Sequence, residues 1–208
     1  MTYKTEQEEF WAGEFGVDYI DRNNNDDLLA ANLNLFSEIL NKSEKIDSVT
    51  ELGANIGLNL KALKLLFPNQ EQHAVEINES AIEKLANMIP NNNIFKGSIL
   101  DFKPKIKTDL VFTKTVLIHI NPEMLNKVYD VLYTSSNKYI LICEYYNSTP
   151  VEVEYRGYKE KLYKRDFAGE FMDKFPDVSL VNYGFSYARD QNFIMSDVMW
   201  FLMRKTNI

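Results

Sequence analysis

Cysteine occurs once in this chain, at Cys143, so neither a disulfide framework nor a cysteine-rich metal site can hold it together. The residue falls in an apolar run and reads as a small buried hydrophobe; nothing points to an oxidising compartment. Histidine is almost as scarce: His73 and His119 are the only two, too few for a histidine metal site, and no metal is expected. Basic charge is also in deficit. Twenty-three Lys and Arg against thirty Asp and Glu leave a formal net charge of −7, which repels a polyanion, and no Lys/Arg cluster follows any predicted helix. Nucleic acid is therefore disfavoured as a partner. No segment approaches the roughly 18 apolar residues that span a bilayer, and Met1 to Glu9 is polar and acidic, unlike a secretory signal. The expectation is a cytoplasmic protein with no membrane partner; its oligomeric state is not readable.

What is present belongs to a globular protein: 45% hydrophobic, 25% charged and, because of 13 Phe and 12 Tyr, 13% aromatic. A length of 208 residues suffices for one packed core, and repeats, low-complexity tracts and Pro/Gly/Ser linkers are missing. A single domain over 1–208 is predicted, with 1–45 as a helical cover on a core at 46–208. The Asn runs at Asn23 to Asn25 and Asn91 to Asn93 read as turns.

Apolar residues from Leu28 to Leu40 recur at helical spacing, with Asp26 placed as the cap. An alternation follows. Strands are predicted at Val49 to Leu52, His73 to Ile77, Ile94 to Lys96, Leu110 to Thr113 and Tyr139 to Cys143. Helices are predicted at Leu58 to Phe67, Ser80 to Met88 and from Pro122 through Leu132, a first-turn proline being compatible with a helix start. Strands separated by helices of this length imply right-handed crossovers and a parallel sheet. Later, Asp166 to Phe175 reads as a helix, while Ser179 to Tyr187 and Asp197 to Met203 are strand-like with only the polar loop Ala188 to Ser196 between them. They imply an antiparallel hairpin at one sheet edge. The fold class is α/β: a Rossmann-like, doubly wound sheet, parallel with an antiparallel C-terminal hairpin and a helical N-terminal segment.

The strongest chemical signal is Glu51-Leu52-Gly53-Ala54-Asn55-Ile56-Gly57, between a strand and a helix. In an open α/β sheet the ligand lies beyond the carboxyl ends of the strands where their order reverses, which is where this loop falls. Gly53 frees the turn, Gly57 would let a ligand approach the helix start, and Glu51 could accept from an ammonium group or water. Glu76 stands 23 positions after Gly53, with Ile77 beside it. A carboxylate so placed can bind ribose hydroxyls, although it could equally be a helix-capping group. The full dinucleotide pattern Gly-x-Gly-x-x-Gly fails at Asn55 and Leu58, which favours S-adenosylmethionine.

These residues, with Gly97-Ser98-Ile99-Leu100 and Asp109 to Pro122, resemble in order and spacing the motifs of class I S-adenosylmethionine-dependent methyltransferases. Gln7 to Gly16, Val116-Leu117-Ile118-His119-Ile120-Asn121-Pro122, Glu144-Tyr145-Tyr146-Asn147 and Lys164 to Glu170 further resemble the pseudaminic-acid-biosynthesis-associated methylases, over nearly the whole chain. That family is grouped with bacterial surface-sugar and capsule pathways. The resemblance implies that Gly53 and Gly57 face the methionine and adenosine portions, Glu76 the ribose, and Ser98 and Ile99 the adenine. It implies that Lys114 to Val116, the pair Lys114 and Val116 above all, border the methionine end, and that Trp11, Tyr19 and Arg22 cover the donor. Arg22 would pair with its carboxylate, and Trp11 has an equal reading as a core aromatic. Asn55 departs from the glycine usual at its position in that class.

A methyl acceptor should lie above the fourth and fifth strand ends. There His119, between apolar neighbours, is the candidate general base, with a hydrogen-bonded structural role as its alternative. Glu144 and Tyr145 join it as candidate catalytic groups. Tyr146, Asn147, Tyr155, Arg156, Lys164 and Arg165 form a polar and basic edge that suits an anionic acceptor, unless it is merely a solvated face. The reading is O- or N-methylation of a small anionic metabolite or nucleotide-linked sugar, releasing S-adenosylhomocysteine. Its rivals are a catalytically silent donor-binding protein and a nicotinamide-dependent oxidoreductase.

Overall fold

The structure, a computed structural model, describes residues 3–23 and 25–206, so Asn24 of the expected Asn23 to Asn25 turn lies outside the described residues. Three helices come first: α1 (Glu6–Ala12), α2 (Glu14–Arg22) and α3 (Asp26–Leu40). Helix α1 opens on a capping box, in which Thr5 accepts from the Glu8 N–H and the Glu8 side chain accepts from the Thr5 N–H. The cap of α3 is Asn25, whose side chain accepts from Leu28 N at 2.9 Å. Asp26, expected in that role, is instead the first helical residue, where its charge favours the positive end of the helix dipole.

The alternating core then runs β1 (Ser48–Leu52), α4 (Leu58–Leu66), β2 (Glu71–Glu76), α5 (Glu79–Leu85), β3 (Ile94–Lys96), β4 (Thr108–Lys114), α6 (Leu125–Ser135) and β5 (Ser136–Glu144). Pro122 begins a separate 3₁₀ turn, Pro122–Met124, rather than α6 itself. Helix α5 stops three residues short of the expected Met88. A small hairpin that the sequence did not announce, β6 (Val151–Glu152) and β7 (Tyr163–Lys164), precedes α7 (Phe167–Lys174), β8 (Val178–Ser186) and β9 (Val198–Lys205). The seven-stranded sheet has the order β3-β2-β1-β4-β5-β9-β8, parallel from β3 to β5, with β9 antiparallel to both β5 and β8. Strand order reverses between β1 and β4, so a crevice opens beyond their carboxyl ends.

Both faces of the sheet are covered, which is why the middle residues of β4 and β5 are apolar. Along β4, Leu110 and Phe112 pack toward Phe36, Ile39, Leu60 and Leu63 of α3 and α4, while Val111 packs toward Val128, Leu132, Phe167 and Phe171 of α6 and α7. Cys143 is fully buried in the first of these layers, and burial pushes its thiol up to about 12. Among the described residues no helix is long and apolar enough to cross a membrane.

Candidate functional site

One cleft dominates the carboxyl ends of β1, β2 and β4, roofed by α1, α2 and the start of α3, with about 1290 Å³ of non-protein space, mouth included. Two turns shape its floor. After β1 the chain passes through left-handed backbone at Gly53 (φ 78°), Asn55 (φ 50°) and Gly57 (φ 82°). A Cβ at Gly53 would stand 2.7 Å from Cγ2 of Val116, so glycine lets the β1 and β4 loops approach. Asparagine tolerates the left-handed region better than other side chains, and Asn55 there turns its N–H onto Oε2 of Glu76 at 2.6 Å. Gly57 differs from expectation. It caps α4 in left-handed backbone and its α-carbon faces α5, where a Cβ would meet Leu85 Cδ1 at 2.7 Å; it packs helices together and does not line the cleft.

Glu76 lines the cleft at the end of β2. Its Oε1 accepts from the backbone N–H groups of Ile77 and Asn78, both at 2.8 Å, and its Oε2 from Asn55. A carboxylate has about four acceptor positions, so one on Oε2 stays open toward the cleft. Burial raises the Glu76 carboxyl against these three stabilising bonds. Asn78, which sequence reasoning missed, caps α5 and donates its Nδ2 to the carbonyl of Trp11 at 3.1 Å, tying the roof to the sheet. Its signal was an Asn directly after the acidic strand end.

Ser98 and Ile99 line the far end. The Ser98 hydroxyl accepts from Leu100 N at 2.9 Å and donates to Glu8 of α1, so it fixes a turn and meets a carboxylate from the roof. Glu8 also lines the cleft and was not singled out from the sequence, although the Thr5-x-x-Glu8 capping pattern was there to be read.

At the opposite end Lys114 closes β4 and Thr115 and Val116 follow it, lining the cleft with Asn59 of α4 and Leu28 and Asn32 of α3. Asn32 is 3% exposed and its Oδ1 has no partner. Glu51 is 1% exposed and stands behind the lining: Oε1 accepts from Asn59 Nδ2 at 2.6 Å, and Oε2 has no partner. Burial pushes its carboxyl up to about 8, with the Asn59 bond and Lys114 pulling the other way. Thr115 has φ 55°, a costly conformation for a β-branched residue, held by its N–H on Cys143 O at 2.9 Å and a side-chain bond with Tyr19. Burial, with Tyr155 and Tyr145 nearby, pushes the Tyr19 phenol up to about 12. Tyr19 and Trp11 line the cleft, whereas Arg22, expected there, lies outside it, its guanidinium 5.2 Å from the Phe15 ring.

His119 sits in the 3₁₀ turn Leu117–His119 and lines the cleft. Its Nδ1 faces the Lys161 carbonyl at 2.6 Å. A carbonyl only accepts, so the proton is on Nδ1 and the lone pair is on Nε2. Burial lowers the imidazole to about 4, so it is neutral at physiological pH. Glu144, placed among the catalytic candidates, is turned away from the cleft. Its oxygens accept from the N–H groups of Val116, Leu117 and Ile118 at 3.1, 3.1 and 3.4 Å, anchoring the turn that carries His119. Burial raises its carboxyl to about 7.

The basic edge is taken apart by its own contacts. Arg165 Nε pairs with Glu170 at 2.8 Å, Lys164 Nζ lies 5.4 Å from the Tyr145 ring centre, and Arg156 is exposed over Tyr155 at 6.0 Å. Tyr146 is exposed and Asn147 donates to the Thr149 carbonyl at 2.6 Å. None of these lines the cleft, and neither does Tyr145; of the group, Tyr155 comes nearest, its ring 5.0 Å from His119.

Glu51 and Glu144 make a pH signature. Both carry folded values above the ordinary 4.5, so the stability they favour is full below about pH 4.5 and fades as pH rises through 7 and 8. The melting temperature of the ligand-free protein is expected to fall between pH 5 and pH 8, and Glu51→Gln to remove much of that fall. Parallel curves for the two proteins in a thermal melt series would refute the assignment.

A doubly wound sheet closed by an antiparallel hairpin, with a glycine turn and an acidic strand end at its switch point, defines the class I methyltransferase fold. No protein-family model matches the chain, and no curated protein matches it in sequence. Solved structures do match in fold. One is the 1,6-didemethyltoxoflavin-N1-methyltransferase of Burkholderia thailandensis with 1,6-didemethyltoxoflavin and S-adenosylhomocysteine bound. It is 11% identical over 100% of this chain and 92% of that one, TM-score 0.71. Magnesium protoporphyrin IX methyltransferase from Synechocystis with bound S-adenosylmethionine is 10% identical over 99% and 100%, TM-score 0.66. A plantazolicin methyltransferase in complex with a substrate analogue and S-adenosylhomocysteine is 13% identical over 96% and 95%, TM-score 0.66.

Proposed function

We propose that this protein is an S-adenosylmethionine-dependent O- or N-methyltransferase acting on a small molecule. The observation that carries the reading is Glu76, a buried carboxylate at the β2 end. It is held by three backbone N–H groups with one acceptor position left facing the cleft, in a fold whose solved neighbours carry S-adenosylmethionine or S-adenosylhomocysteine. The orphaned polar atoms fit such a ligand at the other end. Asn32 Oδ1 would accept from the donor's ammonium group, Lys114 would pair with its carboxylate, and Ile77 and Ile99 would pack on the adenine.

When bound, S-adenosylmethionine supplies an activated methyl group: the acceptor's lone pair bonds to the methyl carbon while the carbon–sulfur pair stays on sulfur, leaving S-adenosylhomocysteine. The chain's own work is alignment and one proton. His119 Nε2 takes the acceptor's proton and later returns it to water, Nδ1 remaining tethered to Lys161 O. Tyr19, Thr115 and the Glu144-anchored turn hold that imidazole and the methionine end in register.

A surface-glycan acceptor rests on the sequence resemblance. An anionic one finds little support in the placement of Arg156, Lys164 and Arg165 outside the cleft. Isothermal calorimetry with S-adenosylhomocysteine tests the donor half: saturable binding in the micromolar range is expected, and no heat at millimolar ligand would remove the reading. Release of S-adenosylhomocysteine in the presence of a cell extract separates an active enzyme from a silent binder.

A further inference from the structure

The two edges of the sheet are finished differently. At one end β3 is three residues long and carries Lys96, the short and charged kind of edge that resists pairing with another chain. At the other end β8 runs nine residues and pairs only with β9. Along its outer side every second residue presents an N–H and a carbonyl that no strand among the described residues takes up. From Val178 to Ala188 there is neither a charge nor a proline. One irregularity, between Leu180 and Asn182, leaves Asn182 to Ser186 in regular register with Leu202 to Val198.

The side chains of this stretch divide by the two-residue period of a strand. Asn182 donates to the Ile39 carbonyl of α3 at 3.3 Å, and on the same face a Cβ at Gly184 would meet Cζ2 of Trp200 at 2.4 Å. Tyr183 and Phe185 face the other way, with the Tyr187 ring 6.2 Å from that of Phe185. The α6 and α7 layer that buries Val178 at the start of the strand does not reach these three rings, which stand 62%, 55% and 53% exposed. An aromatic side chain carries about 150–250 Å² of buriable surface, so each offers roughly 100 Å², and exposed Leu180 and Ile194 enlarge the patch.

We propose that β8 is the seam of a homodimer: a second copy of this chain adds its own β8 antiparallel to the first across a two-fold axis, making one continuous sheet. The strand is its own complement. With the axis at Gly184, Tyr183 of each copy stands opposite Phe185 of the other; with the axis at Phe185, the two Phe185 rings meet and Tyr183 stands opposite Tyr187. Either register sets aromatic against aromatic, the kind of pair that stabilises antiparallel neighbours. Charge selects the same arrangement. Asp177 precedes the uncharged stretch and Arg189 follows it, so antiparallel pairing turns the acidic end of each strand toward the basic end of the other. The seam is thus a line along which two chains of net charge −7 meet without like charges opposed. Patches and strand edges from two copies bring together about 1,000 Å², the size at which a specific interface begins. A two-fold pairing uses up both edges, so growth stops at two.

Sedimentation velocity on the ligand-free protein from about 1 to 200 µM reads the assembly: a monomer–dimer equilibrium with a micromolar midpoint is expected. Tyr183→Lys and Phe185→Lys should each weaken it at least about tenfold, since the two-fold counts every change twice and sets lysine on the seam. Leu65→Lys, which charges an exposed apolar residue on α4, should leave it unchanged. Amide hydrogen exchange locates the seam: raising the concentration should slow exchange within 182–187 in the native chain and not in Phe185→Lys. Both substituted rings are more than half exposed and line no part of the donor cleft, so melting in dilute solution and S-adenosylhomocysteine binding should match those of the native chain. A monomer mass at every concentration, a dimer indifferent to both β8 lysine variants, or a dimer whose 182–187 amides exchange as fast as the monomer's would each overturn the proposal.

Discussion

Glu76→Ala should abolish measurable binding of S-adenosylhomocysteine and lower the stability of the ligand-free protein by about 3–4 kcal/mol. Three backbone donors, on Asn55, Ile77 and Asn78, converge on this one carboxylate. Each buried N–H left without a partner costs about 1–3 kcal/mol, the lower end applying because the cleft admits water. The same deletion frees the left-handed backbone at Asn55, whose geometry the carboxylate fixes, so the donor would lose a ribose contact and a preorganised floor together. Glu76→Gln separates the two losses. Its amide oxygen still accepts from Ile77 and Asn78, while its amide nitrogen faces the Asn55 N–H and can no longer accept. Stability should therefore fall by about half as much, while donor affinity drops at least about a hundredfold, as when a charge-assisted bond is lost with its supporting loop. Denaturant melts and calorimetry read both quantities. An unchanged affinity in Glu76→Gln would place the donor elsewhere.

The turn and strand end proposed for the donor were legible because they are local: Gly53 and Glu76 announce themselves through a turn, a strand end and a spacing, whereas Asn55 read only as a departure from glycine and its left-handed backbone is visible in the fold alone. The acceptor half depends on contacts between segments distant in the chain, which no spacing reports. Glu144 looked catalytic because it opens a polar stretch after the fifth strand, where an acceptor would lie; only the fold reveals three N–H groups from 116–118 arriving to use it. Arg165 looked free until Glu170, one helical turn later, took it, and the two-residue strands β6 and β7 that turn Lys164 onto Tyr145 are too short to leave a period. Gly57 shows the reverse case, a close approach expected from a ligand and made instead by α5, since which side of a turn meets a helix is decided by packing. The parallel sheet and its antiparallel edge, by contrast, followed from the alternation of apolar runs and helices.

His119→Ala should cut turnover at least about a hundredfold, the usual worth of one positioned base, while weakening S-adenosylhomocysteine binding far less. Alanine also orphans the Lys161 carbonyl and opens a space beside Trp11 and Tyr155, so a second variant is needed. His119→Asn supplies it: the amide N–H reaches the same carbonyl, holding the turn, but no basic lone pair remains. Equal losses in both variants assign the effect to proton transfer, whereas full activity in His119→Asn would make the histidine a structural tether. The pH profile gives an independent reading. Because burial holds the imidazole near 4, kcat/KM should stay level from about pH 6 to 8 and decline only as pH falls toward 4, instead of bending near the ordinary 6.5. A base that weak cannot ionise an alcohol before reaction. It can accept the proton only as the new bond to carbon makes the acceptor's oxygen or nitrogen acidic, which favours groups already acidified by conjugation.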